Sequence, residues 1–594
     1  MDREYILILI ILIIIFSGGI LWLFQKENLS INDLLGAGRS EDIEKQERVD
    51  SSGGMENPEE TEKAGETEPE ENKKEVSEND RFRSLVINFV RETAENYFDE
   101  KATEYPQELE IEGNFEPYIY IYVEGEVKGK GGGEDNVLYR ALEKAVHNAL
   151  ANSRDNNFSE EELKKARFLV KFFYPPEQFS FIEYEGEGRE LIGDLVVVRN
   201  LDKELIRQKI AEGKEFLYRV AHKDKHGFYK KYDALNDSFE PRLHTVYSAS
   251  IIYTFLYIYD WEKDEEILKH LSDWADFLLS MQNKNKESER YGAFHYSYYL
   301  DREEKENKFV VGTAALSIFT LLRLYDLTGA PEYLESARLA GNWLTTMQKK
   351  NGAMRAYVKY SNGEWIFEDK ESLLYNGQVL SALSKLYRAT GDKKYFEAAE
   401  KIAQWFSQKY EKEKGYIKGE YREKNPISNC WVVMSLMDFY KASKDEYYKE
   451  IIFPLSEEIL KNQKSDETQP LYYGGWAGAY SSSGLGWITE VMAETYRFCR
   501  EENRGDCEKY KTAVIKAIRW LLQSTYSKEN SFFLPNPERA IGGVFWNIDN
   551  KYVRTDSVCH ALNGYIRIFD YLEDGLLLSI KEEPLETILA EIKK

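Results

Sequence analysis

The sequence is short of cysteine and of positive charge, and it lacks the common catalytic signatures. Four cysteines in 594 residues (Cys430, Cys499, Cys507, Cys559) are too few for a disulfide scaffold, and none stands in a CxxC pair. Lys and Arg number 79 against 104 Asp and Glu, a net charge of −25, which argues against a phosphate-binding nucleic-acid protein. No HExxH, GxSxG, Walker A or DDxxD motif occurs, so metalloprotease, α/β-hydrolase, P-loop and ionising terpene-cyclase chemistries have no support. What is present is a globular composition, 42% apolar and 31% charged, with length for about four units of ordinary size.

One long apolar run stands at the start. Residues 5–24, YILILIILIIIFSGGILWLF, contain no charge and are long enough to span a bilayer. The run is longer than the apolar core of a signal peptide and ends in LWLFQKEN, placing Trp22 where an interfacial aromatic sits, so it is expected to be an uncleaved anchor. The short head before it favours a globular part outside the cytoplasm. Residues 25–80 read as a disordered acidic linker. Between Ser40 and Asp80 there are 16 acids and 5 bases, with almost no large apolar residue to repay the entropy of ordering.

Residues 81–200 read as a compact α+β domain. RETAENYF has helical spacing, YIYIYVEGEV alternates as a strand, LYRALEKAVHNALAN is amphipathic, and ARFLVKFFYP and LIGDLVVVRN read as further strands. With FEPYIYIYVEGEVKGKGGG and NNFSEEELKKARFLVKFFYPPEQ in that order, the segment resembles the AMMECR-type family. Its glycine segment departs from the family's pattern, reading VKGKGG with no cysteine. The Gly129–Gly133 cluster reads either as a backbone cradle for an anion or as a flexible turn.

Residues 201–575 repeat. A glycine-aromatic mark recurs at Gly227, Gly292, Gly352, Gly415, Gly474 and Gly542, 59 to 68 residues apart. A second mark, a tryptophan followed by glutamine, precedes it: WADFLLSMQ at Trp274, WLTTMQ at Trp343, WFSQ at Trp405 and WLLQ at Trp520. The empty slot is filled by ILKNQ, ending at Gln463. Each unit holds one amphipathic helix and one that is apolar and rich in small residues, the pattern of an outer helix covering a buried inner one. Gly329 and Gly391 fit C-caps of inner helices. Six such pairs predict a mainly α fold, an (α/α)6 toroid of six helical hairpins, with residues 576–594 as a tail carrying a short helix. The pattern resembles the six-hairpin glycosidase-like superfamily. That resemblance implies carbohydrate chemistry in which acids, His or Tyr near the ring's mouth move protons.

Topology points to where such chemistry would sit. All six glycine-aromatic loops and all six inner-helix N-termini must lie at one end of the ring, where helix dipoles favour an anion. Aromatics there (Phe228, Tyr229, Phe294, Tyr296, Tyr416, Trp476, Phe545 and Trp546) either stack on sugar rings or plug the hollow centre. The last inner helix, KYVRTDSVCHALNGY, offers Arg554, and Asp556 and His560 on one face, an acid–base pair if Asp556 is not spent on backbone N–H groups. FEPRLHTVY adds Arg242 and His244, with Asp233, Asp237 and Glu240 just before it. SSSGLGWITEVMAETY adds Trp487 and Glu490, ESLLYNGQ adds Glu371, Tyr375, Asn376 and Gln378, and the second unit's loop adds His295. The expected catalytic set is Asp556, His560, His244, Glu490 and Asp233. Arg242, His295, Tyr375, Asn376, Trp476, Trp487, Trp546 and Arg554 are the expected substrate contacts.

Lanthionine cyclases are also α-toroids, with zinc on cysteine and a Cys-His pair, and Cys430 with Cys559–His560 offers a partial match. The two cysteines lie two units apart rather than in adjacent units, so no metal is expected. Cys499 and Cys507 flank the loop between two helices at the opposite end of the ring and could bridge in an oxidising space. The expectation is a membrane-anchored carbohydrate-active enzyme of hydrolase, lyase or epimerase type, acting on an acidic or complex glycan. A non-catalytic glycan- or peptide-binding envelope protein is the first alternative, and a zinc-dependent lanthionine-cyclase-like toroid with zinc at Cys430, Cys559 and His560 is the second.

Overall fold

The structure, a computed structural model, describes residues 78–153, 158–172, 189–192, 195–413, 415–418 and 426–581. The expected anchor at 5–24, nearly all of the linker and any helix in the tail beyond 581 lie outside these residues. Among the described residues no helix is long and apolar enough to cross a membrane. The chain divides into two compact units, Met1–Arg83 and Ser84–Lys594. The described part of the first is only the start of helix α1 (Glu78–Phe98).

After α1, an antiparallel three-stranded sheet forms, with Pro117–Val123 between Glu126–Gly132 and Arg167–Phe172. Helix α2 (Leu138–Ala151) lies across it, burying Leu138, Leu142, Ala145 and Val146. The glycine cluster is neither an anion cradle nor a flexible turn. A Cβ at Gly129 would stand 2.3 Å from the Ala149 carbonyl oxygen, and one at Gly133 2.1 Å from that of Ala141. Glycine is there because the α2 backbone rests on the sheet. The short helix α3 (Glu160–Lys165) opens with a capping box between Ser159 and Glu162.

Twelve helices follow in the toroid. The outer ones are α4 (Lys203–Arg219), α6 (Glu265–Ser280), α8 (Pro331–Thr346), α10 (Lys393–Glu413), α12 (Lys449–Leu460) and α14 (Glu508–Gln523). The inner ones are α5 (Thr245–Glu262), α7 (Val311–Thr328), α9 (Leu373–Thr390), α11 (Pro426–Ser443), α13 (Ser482–Glu501) and α16 (Thr555–Phe569); α15 (Pro537–Ala540) lies in the loop before α16. Each inner helix packs on the next and α16 returns to α5, which closes the ring. The tight turns join each inner helix to the outer helix that follows. Gly329 and Gly391 cap α7 and α9 in the left-handed conformation, as expected. The sixth hairpin is therefore made from the two chain ends, α16 against α4. Strand Leu576–Ser579 pairs with Asn200–Asp202 beside it.

The two repeated marks are partners. Gln282 Nε2 donates to the Gly292 carbonyl and to Ser336 on the next outer helix. Gln348 does the same to Gly352 and Ala398, and Gln463 to Gly474 and Ala513. A Cβ at Gly292, Gly352, Gly474 or Gly542 would strike the backbone of the neighbouring outer helix, at 2.0–2.4 Å. These positions also have φ between +84° and +93°. Gly542 meets Glu212 of α4, so the same device seals the ring. Cys499 and Cys507 are bonded across the turn from α13 to α14.

The sheet region and the ring share one core, to which Tyr120, Tyr122, Val127, Val196 and Val198 belong. Strand Leu195–Val198 packs on α14, and the buried Arg519 guanidinium donates to Val198 O. The hairpin turn at Glu124–Gly125 is seated against the ring's loops. Lys551 N donates to Gly125 O at 3.0 Å, and Val127 N donates to Asn550 Oδ1 at 2.8 Å.

Candidate active site

The inner helices are nearly buried, and their half-buried residues mark the face toward the hollow centre. On α5 those are Val246, Ser250, Tyr253 and Tyr257, with Thr245, Tyr247, Ser248 and Ala249 buried between them. Counted from the first residue of the helix they are positions 2, 6, 9 and 13, the spacing of one helical face. The same count on neighbouring helices finds residues in contact at equal height. Ser483 donates to Asp556 at position 2, and at position 6 Trp431 stacks on Trp487, whose ring meets that of His560 at 55°. Asn563 donates to Glu490 at position 9, and Arg567 to Glu494 at position 13. The inner helices are thus parallel and in register, and they build a channel of four layers.

The lowest layer is a belt of charge. It holds Tyr257, Arg323, Lys385, Asp438, Glu494 and Arg567. Lys385 Nζ meets Asp438 at 2.6 Å, Arg567 Nη1 meets Glu494 at 2.7 Å, and Arg567 lies over Tyr257. Arg323 pairs with Asp260, and Lys441 reaches Glu494 at 3.0 Å. Burial penalises the charge on Glu494, yet Arg567, Lys441 and Arg497 together hold its carboxyl well below the ordinary range. Each charged member has an opposite charge beside it, while Arg323 Nε and Arg567 Nε have no hydrogen-bond partner among the described residues.

Higher up the pattern changes. His560 Nδ1 is 2.8 Å from Glu490 Oε2, and its side chain keeps 22% exposure where Glu490 keeps 5%. Glu490 Oε1 also accepts from Arg567 Nη2 at 3.1 Å and Asn563 Nδ2 at 3.3 Å. With Nδ1–H donating to the Glu490 carboxylate, the Nε2 lone pair is left free for a ligand. Beside it Trp487 is stacked on Trp431 with ring centres 3.9 Å apart. The buried Trp487 Nε1 and Gln378 Oε1 have no hydrogen-bond partner among the described residues.

At the rim, Arg554 grips Asp556 with Nε at 3.1 Å from Oδ1 and Nη2 at 2.5 Å from Oδ2, and also donates to Tyr247 OH at 2.8 Å. Burial would raise the Asp556 carboxyl, but Arg554, His560 and Ser483 hold it below the ordinary range. Tyr247 packs edge-on against His244, whose Nε2 is 3.4 Å from Glu240 Oε1. His244 is 2% exposed, and burial pushes its imidazole below its ordinary value. Burial opposes ionisation of Glu240 too, but His244, Lys230 and Arg242 keep it low. Lys230 is pushed down by burial and by Arg554, with no ion-pair partner among the described residues.

Of the expected site residues, the ring brings Asp556, His560, Glu490, Trp487 and Arg554 together, with Trp546 under the Arg554 guanidinium and His244 beyond Tyr247. Arg242 lies near them over Tyr299, and Tyr375 packs beside Gln378 where Gly312 leaves room. Four expectations are corrected. Asp233 turns its oxygens back to Leu235 N, Asn236 N and Asn236 Nδ2, so it shapes a loop. Asn376 is fully buried and ties Met354 N to Ser372 O. Trp476 is 1% exposed, with its indole N–H on Ile459 O. His295 is spent on Glu306 O at 2.9 Å. Cys430 and Cys559 lie on non-adjacent inner helices with thiols pushed up by burial, and no three metal-ligating side chains cluster among the described residues. Lys230, Trp431 and Arg567 were missed. Stepping 2, 6, 9, 13 along each inner helix would have found the last two.

No protein-family model matches the chain, and no curated protein has a significantly similar sequence. Solved structures do match. A cellobiose 2-epimerase from Bacillus thermoamylovorans superposes with a TM-score of 0.51 and 12% identity, covering 62% of this chain and 99% of that one. A D-mannose isomerase (TM-score 0.48, 13% identity, 62% and 98% covered) and an unsaturated glucuronyl hydrolase specific for heparin (0.46, 12%, 62% and 98%) are also similar. The epimerase likeness shows the fold, an (α/α)6 toroid.

Proposed function

We propose that the toroid binds a sugar in the upper half of its channel and moves a proton on it with His560 as base. The observation that carries this is the His560–Glu490 pair at 2.8 Å, with the other imidazole nitrogen left to a partly open channel. Stacked Trp431 and Trp487 supply an apolar face of the kind a sugar ring covers, and the unpaired indole N–H and Gln378 carbonyl suit its hydroxyls. That the superposed epimerase and isomerase act on sugars is in keeping with this reading.

The carboxylates favour one reaction type. Two-carboxylate glycoside hydrolysis needs one carboxyl kept protonated as an acid. Here Asp556 and Glu240 are both held low by cations, and Glu490 is engaged by Arg567, Asn563 and His560. We therefore favour proton abstraction from a carbon next to a carbonyl, as in lyase, isomerase or epimerase chemistry. The proton goes to His560 Nε2, and the negative charge that develops on the carbonyl oxygen is met by Arg554 or Lys230. The test is incubation with neutral and uronic oligosaccharides in deuterated water, read by mass spectrometry. Deuterium uptake or elimination that disappears in His560→Ala supports the reading. Clean hydrolysis that survives that substitution would overturn it.

We read residues 5–24 as a membrane anchor with the folded part outside the cytoplasm, from the uncharged run and the acidic tether behind it. Resistance to alkaline extraction, with protease access from the outer face, tests this.

A further inference from the structure

The mouth loops of the last, first, second and third units are joined edge to edge by short strand pairings. Val553 and Arg554 pair with Tyr232 and Lys231, and Tyr229 bridges Leu243. Arg242–His244 pairs with Ser297–Tyr299, His295 bridges Phe309, and Lys308–Val310 pairs with Tyr357–Lys359. Backbone pairing holds this part of the rim in place, so its side chains keep their stations without a ligand. Arg242 and Lys308 occupy equivalent stations, each three residues before the first residue of an inner helix, Thr245 of α5 and Val311 of α7. Lys230 is fixed at the head of α16, where its carbonyl accepts from Thr555 N at 3.0 Å.

These bases rest on aromatic rings. Arg554 and Lys230 lie over the same ring, that of Tyr247, with their charged centres 5.8 and 5.9 Å from its centroid. Lys308 Nζ is 4.8 Å from the centre of Tyr296 and 5.1 Å from that of Tyr357, and Arg242 lies over Tyr299 at 5.2 Å. His244 connects the two groups, since its ring stands edge-on to both Tyr247 and Tyr296. It is buried, and neither ring nitrogen has a hydrogen-bond partner among the described residues.

Acids and bases of this arc are treated differently. Asp556 is gripped by Arg554 and accepts from Ser483, Glu240 stands 3.4 Å from His244, and Glu306 accepts from Ser297 Oγ. The ammonium groups of Lys230 and Lys308 have neither a hydrogen bond nor an ion pair among the described residues. Arg242 has one long hydrogen bond, 3.4 Å to Tyr299 OH. Burial pushes the Lys230 ammonium down, as does Arg554, and the nearby charges of Glu240 and Asp556 offset only part of this. Burial pushes Lys308 down too, against Glu306. A half-buried cation that meets only ring faces carries a desolvation cost that a bound anion would offset.

Resting on the sugar-binding reading above, we infer that the sugar carries a negatively charged substituent, a carboxylate or a sulfate, received by Lys230, Arg242 and Lys308 on the first- and second-unit side of the mouth. The base is close by. His560 is one helical turn, about 6 Å, from Asp556, and Asp556 is the acid that Arg554 grips beside Lys230. Donors from three separate loop stations can surround an anion, whereas an uncharged hydroxymethyl group in its place leaves them bare.

The test uses the full-length chain in detergent and sugars matched in all but charge. The pairs are glucose with glucuronate, galactose with galacturonate, and cellobiose with the disaccharide whose non-reducing unit is glucuronate. Each uronate is also offered as its uncharged methyl ester, and each neutral sugar as its 6-sulfate. Calorimetric affinity for a charged member is expected to exceed that for its neutral mate and ester on the order of 10- to 100-fold. A preference for uronate or for sulfate identifies which anion is the natural one. Lys308→Met and Arg242→Met, with unfolding midpoints measured alongside, should each lower the ratio of charged to neutral affinity on the order of 10-fold, and Lys308→Arg should keep it. Should Lys308→Met not fold, the unmutated chain gives the second reading: its charged-to-neutral ratio should shrink several-fold between about 0.05 and 0.5 M salt. Equal affinity for charged and neutral members overturns the inference and leaves the sugar reading intact. A ratio that survives both substitutions, or that ignores salt, overturns the placing of an anion on this arc. No binding by any sugar overturns both readings.

Discussion

The two ends of the central channel are built from the same twelve helices and used in opposite ways. At the floor, Arg567, Glu494, Lys441, Asp438 and Lys385 match charge with charge across neighbouring helices. At the mouth, Trp487, Gln378 and His244 keep buried polar atoms without hydrogen-bond partners among the described residues. A buried polar group left unmatched costs stability, so a fold keeps it where a ligand will complete it. A matched one needs no ligand. Burial and charge alone do not separate structure from function in this ring. Satisfaction does.

Substitutions at the two ends should separate in the same way. The largest effect is expected at the floor. Arg567→Met removes the partner shared by Glu490 and Glu494, and breaking a buried pair this way costs about 3–5 kcal/mol, read by denaturant unfolding. A loss under about 1 kcal/mol would show that the floor is not what holds the ring closed. At the mouth, His560→Ala should change stability by less than about 1 kcal/mol while turnover falls by about 100- to 10,000-fold, the range of a general base. If that variant unfolds as readily as Arg567→Met, the contrast between the ends fails.

Smaller effects sharpen the comparison. The Cys499–Cys507 bond closes a short loop on the floor side, and Cys499→Ser with Cys507→Ser should cost about 2–3 kcal/mol by loop entropy. Acid should act on both ends in sequence. His244 is held below its ordinary value, so its contribution is complete above about pH 6.5 and is lost as pH falls through the lowered value. Glu494 is likewise held low, so its share is complete above about pH 4.5 and disappears in stronger acid. His244→Phe should erase the first decline in a stability–pH profile and leave the second. The mildest change is Trp487→Phe, which keeps the stack and removes the free N–H. About 1 kcal/mol of sugar affinity should go, with no measurable loss of stability.

The repeat was legible because it rests on local necessities. At Gly292, Gly352, Gly474 and Gly542 a glycine with positive φ lets a loop pass over an outer helix, and Gln282, Gln348 and Gln463 bind three of those loops. That Asp556 and His560 share one helical face was also legible, since helical spacing sets it, but their partners Arg554 and Glu490 were not. Asp233, Asn376, Trp476 and His295 were misjudged because polar and aromatic residues near helix N-termini serve loop closure as often as chemistry. Only hydrogen-bond partners distinguish the two uses. The glycine cluster at 129–133 was misjudged for a related reason, since nothing local shows that a helix backbone will lie on it.

By itself, then, the sequence determined the secondary elements, the count of six and the end of the ring where inner helices begin. Those follow from period, capping and turn chemistry, which act over a few residues. The tertiary structure decided the rest. It set inner helices in register, so that Glu490 meets His560 and Arg567 from 70 and 77 residues away. It closed the sixth hairpin from the two chain ends and seated the 124–125 turn on loops some 420 residues distant. Those contacts depend on how a closed ring distributes its elements in space, and no short-range rule encodes that distance.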